Sequence, residues 1–160
     1  MVNVSDVLAM GGRPLAVVDV LFAGEGEQAA QVLAGMRDAS RAFGVPVVGG
    51  HTSRLAGEGT YLAAAIVGRA RKLITSFDAK AGDHLVIAVD LHGGYRGERP
   101  FWDASTTATP ERLRSDLELL PSLAEKGLCR AGKDISNGGI VGTLAMLCHC
   151  SEVGAILDLE

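Results

Sequence analysis

The chain has 160 residues, a formal net charge of −4, 48% apolar residues and 21% charged residues. This is the balance of a soluble globular protein with enough chain for one core or two small domains. The absence of a Lys/Arg cluster argues against nucleic acid as the main partner, because a phosphate backbone demands one. No apolar run reaches the ~18 residues of a membrane span, and no basic segment leads into an apolar stretch as in a secretion signal. The three cysteines make a poor disulfide framework, so a reducing cytoplasmic setting is expected. The 21 glycines are about twice the usual ~7% share and are scattered, which points to tight turns and close backbone approach.

In chain order, residues 3–10 read as a short helix that Asn3 or Ser5 can cap and Gly11-Gly12 ends. Residues 15–23 are a near-continuous apolar run, interrupted by Asp19, and predict a buried strand. A turn is expected at 24–26. From 27 to 43, Ala29, Val32, Leu33, Met36, Ala39 and Phe43 recur at helical spacing, and Gly44 stops the helix. Residues 45–48 predict a short strand running into a Gly49-Gly50-His51-Thr52 turn. Residues 57–59 predict a turn and 61–67 a further strand.

Small and polar residues at 77–83 mark a domain boundary, dividing the chain into 1–78 and 79–160. Residues 84–89 predict a strand, and 90–100 a glycine- and arginine-rich loop. Thr109-Pro110-Glu111 is a helix start with a Thr cap and Pro at the first helical position. Pro121 forces a break or a second helix. Residues 140–150 predict a helix and 155–160 a final strand. The order implies an α/β to α+β fold without a strict βαβ repeat.

The richest stretch is Lys133-Asp134-Ile135-Ser136-Asn137-Gly138-Gly139-Ile140. A carboxylate, a hydroxyl, a carboxamide and two glycines precede an apolar helix, as a phosphate–metal site requires. Asn3-Val4-Ser5-Asp6-Val7-Leu8-Ala9-Met10-Gly11-Gly12 has the same design. Each has a plain reading: Asp6 as a first-turn acid complementing the helix dipole, Asp134 as an Asx-turn cap, Gly49-Gly50-His51-Thr52 as a strand end. No P-loop motif is present. Gly93-Gly94-x-x-Gly97 is a weak dinucleotide signal and a better flexible loop. Cys148-His149-Cys150 cannot converge on one ion, because neighbours on a helix point ~100° apart.

Together, Val2–Pro14, Gly49-Gly50-His51-Thr52 and Lys133-Asp134-Ile135-Ser136-Asn137-Gly138-Gly139 resemble the aminoimidazole-ribonucleotide (AIR) synthetase-like superfamily. It includes AIR synthetase, thiamine-monophosphate kinase, selenophosphate synthetase and a hydrogenase maturation protein. The chain looks most like an uncharacterised AIR-synthase-related branch. The resemblance implies a two-domain architecture truncated at both ends: part of an ATP-binding α/β domain over 1–78 and part of a C-terminal α+β domain over 79–160. It implies an ATP- and Mg²⁺-dependent enzyme that activates a small substrate by phosphoryl transfer. Asp6 and Asp134 would ligate Mg²⁺; Asn3, Gly49, Gly50, His51, Thr52, Ser136 and Asn137 would line the nucleotide or substrate site. A homodimer through the N-terminal domain sheet is implied as well. His51 stands where the kinase branch has an Asp, and the family's glycine-rich segment and further aspartates do not precede Asn3. Those departures point to the alternative, a non-catalytic nucleotide-binding or scaffold relative.

Overall fold

The computed structural model describes residues 1–24, 27–54, 59–98 and 101–158. Helix α1 (Val2–Ala9) leads into strand β1 (Arg13–Ala23), helix α2 (Glu27–Phe43) and strands β2 (Val47–Arg54) and β3 (Thr60–Arg69). A small hairpin, β4 (Gly94–Tyr95) and β5 (Trp102–Asp103), precedes helices α3 (Pro110–Asp116), α4 (Leu119–Glu125) and α5 (Gly139–Ser151). The mixed α/β class expected from the sequence is observed. No helix among the described residues is long and apolar enough to cross a membrane.

The central strand is β1. It pairs parallel with β2 through the α2 crossover and antiparallel with β3, giving the order β2-β1-β3. Side chains alternate between the two faces of a strand. Leu21 and Ala23 are buried; they share a face with Asp19, which lies against α2 beside Leu33, Met36, Arg37 and Ser40. The alternate residues Val18 and Phe22 remain exposed, as do Tyr61, opposite Phe22 on β3, and Val67, opposite Ala16. One face of the sheet is thus packed and the other is an open apolar surface.

Helix α2 spans the predicted range without change. Thr109 caps α3 by accepting from the Arg112 N–H at 3.3 Å, with Pro110 at the first helical position. Pro121 is the third residue of α4, where a first-turn N–H has no helical acceptor to lose, so it starts a second helix rather than kinking one.

Five expectations change. Residues 2–5 are already helical, so Met1 occupies the cap position with no side-chain bond, and neither Asn3 nor Ser5 caps α1. Gly49-Gly50-His51-Thr52 is not a turn but the interior of β2, held by the ladder to β1. Residues 84–89 form no ladder among the described residues, and Val86 stays 84% exposed; an extended segment becomes a strand only when another backbone accepts its N–H groups. Residues 153–158 likewise form none, and Ile156 is fully exposed. The expected loop over 90–100 contains β4. The turns expected at 24–26 and 57–59, and the end of the predicted final strand, fall largely outside the described residues.

The start of β1 is tied to α4 through Arg13. Its Nε donates to Glu118 at 2.9 and 3.0 Å and its Nη1 to Glu125 at 2.6 Å. These carboxylates, Glu118 foremost, raise the Arg13 pKa, and the hydrogen bond from Arg13 lowers that of Glu125 below 4.5. Because folding lowers the Glu125 pKa, its contribution to stability is complete above that value. It is lost as pH falls through the folded-state value. Thermal melts across pH should therefore show Glu125→Gln less stable than wild type near neutrality, with the gap closing below about pH 4. A gap that widens in acid would contradict the ion-pair assignment. Ile74, 1% exposed, is held between α1 and the 130–132 segment. Ile74→Ala should cost about 2–5 kcal/mol in a denaturant titration.

Candidate functional site

The Asp134 stretch is positioned by backbone. Ile74 N–H donates to the carbonyl of Met10, at the end of α1, at 3.0 Å. Thr75 N–H then donates to Arg130 O at 3.1 Å, and Gly132 N–H returns to Thr75 O at 3.0 Å. A short parallel bridge, Thr75 to Ala131, results. Gly132 fits because it is glycine: a Cβ there would lie 2.8 Å from Ile74 Cγ2. Gly11 turns the chain after α1 with φ +72° and would place a Cβ 2.9 Å from the Lys72 carbonyl.

Beyond Gly132, Lys133 Nζ lies 3.6 Å from Asp134 Oδ1, and both side chains are partly exposed. Ser136 N–H donates to the buried Thr143 hydroxyl at 3.1 Å, and Gly139 N–H to Ser136 O at 2.9 Å. These bonds close a turn whose residues Ser136, Asn137, Gly138 and Gly139 face solvent at the N-terminus of α5. Gly139 sits at φ +64°, a conformation that favours glycine. The first-turn N–H groups and the positive end of the α5 dipole face outward with them.

On α1, Asp6 is exposed and lies one turn before Met10. Asp134 is two residues past Gly132, at most ~7 Å of chain. The 10–74–75–130 relay therefore joins the end of the helix carrying Asp6 to the segment carrying Asp134. Asn3 donates from its carboxamide to the Ala64 carbonyl at 3.1 Å. Ala64 pairs with Asp19 and Asp19 with Gly50, so the row runs roughly 10 Å across two interstrand spacings.

The β2 residues divide between faces. His51 pairs with Val20 on the open apolar face; Thr52 pairs with Leu21 on the face packed against α2. The structure thus places His51 and Thr52 on opposite sides of one strand rather than along one turn. Gly50 lies under Asp19, where a Cβ would come within 2.4 Å of Asp19 Oδ1 and 2.7 Å of its backbone oxygen. Sequence reasoning gave Asp19 no role; its signal was a lone charge inside an apolar strand.

Among the described residues no three His, Cys, Asp or Glu side chains gather to hold an ion by themselves. Asp6 and Asp134 nevertheless fit Mg²⁺ by donor chemistry, since that ion is commonly held by one or two carboxylates while phosphate and water supply the rest. Cys148, His149 and Cys150 follow one another along α5.

The family model for the N-terminal domain of AIR synthase related proteins matches residues 1–70, and that for the C-terminal domain matches residues 47–160. The chain belongs to the AIR synthase related family. Two similar relatives are the uncharacterized protein sll0787 of Synechocystis, 53% identical over the whole chain, and the uncharacterized protein MJ0640 of Methanocaldococcus jannaschii, 36% identical over 99% of it. The chain spans about half the length of each, 50% in both cases. Among solved structures, T. maritima PurL complexed with ATP superposes with a TM-score of 0.65 at 24% identity, over 93% of this chain and 25% of that one. AaThiL complexed with AMPPCP and TMP superposes with a TM-score of 0.64 at 22% identity, over 94% and 51%. At these identities the superpositions establish the fold, an AIR synthase-like architecture of which this chain carries part.

The Gly50–Asp19 contact can be tested directly. Gly50→Ala should lose about 1–3 kcal/mol of stability through overpacking. Adding Asp19→Ala should recover only part of it, because the Asp19 backbone oxygen remains. Full recovery, measured by denaturant unfolding, would mean that the side chain alone sets the constraint.

Proposed function

We propose that this chain forms part of a cytoplasmic ATP- and Mg²⁺-dependent enzyme that activates a small substrate by phosphoryl transfer. The observation that carries the reading is the backbone relay from Met10 through Ile74 and Thr75 to Arg130 and Gly132, which ties the Asp6 helix to the Asp134 turn. Family membership supports it, as do related folds described in complex with ATP, ADP or AMPPCP.

In this reading the exposed Ser136–Gly139 turn and the α5 N-terminus receive phosphate oxygens, where free N–H groups and the helix dipole favour negative charge. Asp6 and Asp134 hold Mg²⁺. The ion, when bound, neutralises charge on the transferring phosphoryl group. Asn3, already anchored to β3, stiffens the start of α1; Gly49, Gly50, His51 and Thr52 contribute the β2 side, with Gly50 allowing the Asp19 carboxylate close to the strand. The two segments belong to separate domains, 1–78 and 79–160. The open sheet face bearing Val18, Phe22, Tyr61 and Val67 pairs with a second copy, which would remove its apolar surface from water. A nucleotide-binding relative without catalysis is favoured by one observation: among the described residues no three His, Cys, Asp or Glu side chains gather to hold an ion.

Calorimetry with Mg-ATP should give saturable binding that weakens at least about tenfold in Asp134→Asn and in Asp6→Asn, the cost of removing a charged ligand oxygen. EDTA should bring wild-type affinity down to the level of the variants. Unchanged affinity in both variants would reject the metal assignment. ADP release with candidate small-molecule acceptors separates the enzyme from the non-catalytic relative.

A further inference from the structure

Helix α2 turns a mixed stripe toward the sheet. Leu33, Met36, Arg37 and Ser40 lie within about 100° of its surface, at the spacing of one helix face. Two of the four are polar. They meet Asp19, the one carboxylate of β1, across a hollow of about 270 Å³. Pro46 and Val47, where the chain enters β2, complete its wall.

Backbone bonds fix the floor of this hollow. Gly44 ends α2 at φ +70°. Val45, which is buried, donates its N–H back to the Ser40 carbonyl at 3.1 Å, and Val17 N–H donates to the Pro46 carbonyl at 2.9 Å. Asp19 Oδ1 occupies the space where Gly50 would carry a Cβ, so the carboxylate leans toward β2, an edge strand of the sheet among the described residues.

The polar groups around the hollow are unmatched. Among the described residues the Asp19 carboxylate accepts no side-chain hydrogen bond and joins no ion pair, and the Ser40 hydroxyl has no partner. Arg37 reaches only Asp38, its exposed neighbour in sequence, through Nε at 3.5 Å. Such a contact contributes little in water, and it leaves both terminal nitrogens of the guanidinium unused. Asp19 and Arg37 thus face one hollow as opposite charges that do not touch. A carboxylate on the helix-covered side of a sheet loses hydration that a donor or a cation replaces. The rest of the wall is aliphatic: Leu33, Met36, Pro46 and Val47.

We propose that this hollow binds a free α-amino acid with an aliphatic side chain. Its ammonium group donates to Asp19, its carboxylate accepts from Arg37 and Ser40, and its side chain lies on Leu33, Met36 and Val47. A lone cation would leave Arg37 unmatched and a lone anion would leave Asp19 so, whereas a zwitterion satisfies both with charge-assisted hydrogen bonds. The volume is below the ~300–1,000 Å³ of sites for drug-sized ligands and suits a molecule of this size. The bound amino acid bridges α2 to the sheet, so it stabilises the folded chain by mass action. Its binding does not rest on the phosphoryl-transfer reading.

L-leucine is the probe. Calorimetry on the full chain should show saturable binding, and the thermal midpoint should rise with L-leucine concentration. Each of three controls removes one recognition element: leucinamide lacks the carboxylate, isocaproate the ammonium group, and glycine the side chain. Each should bind at least about tenfold more weakly than L-leucine. Arg37→Gln, at an exposed position of α2, should fold as the wild type does and weaken L-leucine at least about tenfold; Asp19→Asn should do the same. Neither variant should gain thermal stability from L-leucine at concentrations that shift the wild type. Should Asp19→Asn fail to fold, Arg37→Gln and the isocaproate control decide the matter. Non-saturating heats with L-leucine, a control that binds as tightly as L-leucine, or unchanged affinity in Arg37→Gln would overturn the proposal.

Discussion

Three backbone hydrogen bonds, Ile74 to Met10, Thr75 to Arg130 and Gly132 to Thr75, set the relation between the two halves of the candidate site. Each is worth only about 1 kcal/mol net, but leaving a buried donor or acceptor unpaired costs more than making the bond gains. The residues around them follow from that constraint. Ile74 fills the space between the end of α1 and the 130–132 segment, and both Gly11 and Gly132 are glycine because Ile74 and the Lys72 carbonyl occupy the positions a Cβ would take. A carboxylate on α1 and one beyond Gly132 are thereby held by backbone geometry, independent of whether any charge partner is present. This is preorganisation of the kind a phosphate–metal site needs, since the ordering entropy is spent at folding rather than at binding.

Strand β1 plays the matching role in the sheet. Among the described residues it is the only strand of its sheet with a partner on both sides, and its row Ala64–Asp19–Gly50 links Asn3 on one flank to the β2 motif on the other. Arg13 at its start fastens it to α4 through two glutamates. The sheet's packed face supplies Leu21 and Ala23 to the core. Its other face leaves Phe22, Tyr61 and Val67 in water, an arrangement that burial of the same area would improve at roughly 25 cal/mol per Å².

Elements whose pattern is local were legible in the sequence. The apolar positions of 27–43 recur every three to four residues, and α2 follows them end to end; Thr109-Pro110-Glu111 marked the start of α3 to the residue. Elements that depend on distant partners were not. Residues 84–89 have the composition of a strand, but no other described backbone accepts their N–H groups. Gly49 and Gly50 read as a turn because glycine usually punctuates; here Gly50 stays in the ladder because Asp19, thirty-one positions earlier in the chain, needs the space. The motif residues Asn3, Asp6, Asp134, Ser136 and Asn137 were visible by type and spacing. That the end of α1 is hydrogen-bonded through residues 74–75 to the 130–132 segment was not, because that relay is made of backbone groups that carry no side-chain signature. Likewise the Trp102 hairpin is held by contacts to Asp90 and Arg112, twelve and ten positions away, with no periodicity to betray it.

The phosphate side relies on N–H groups, a helix dipole and carboxylates on rigid turns, all of which tolerate variation in the surrounding side chains. The superpositions at 22–24% identity reproduce the fold alone.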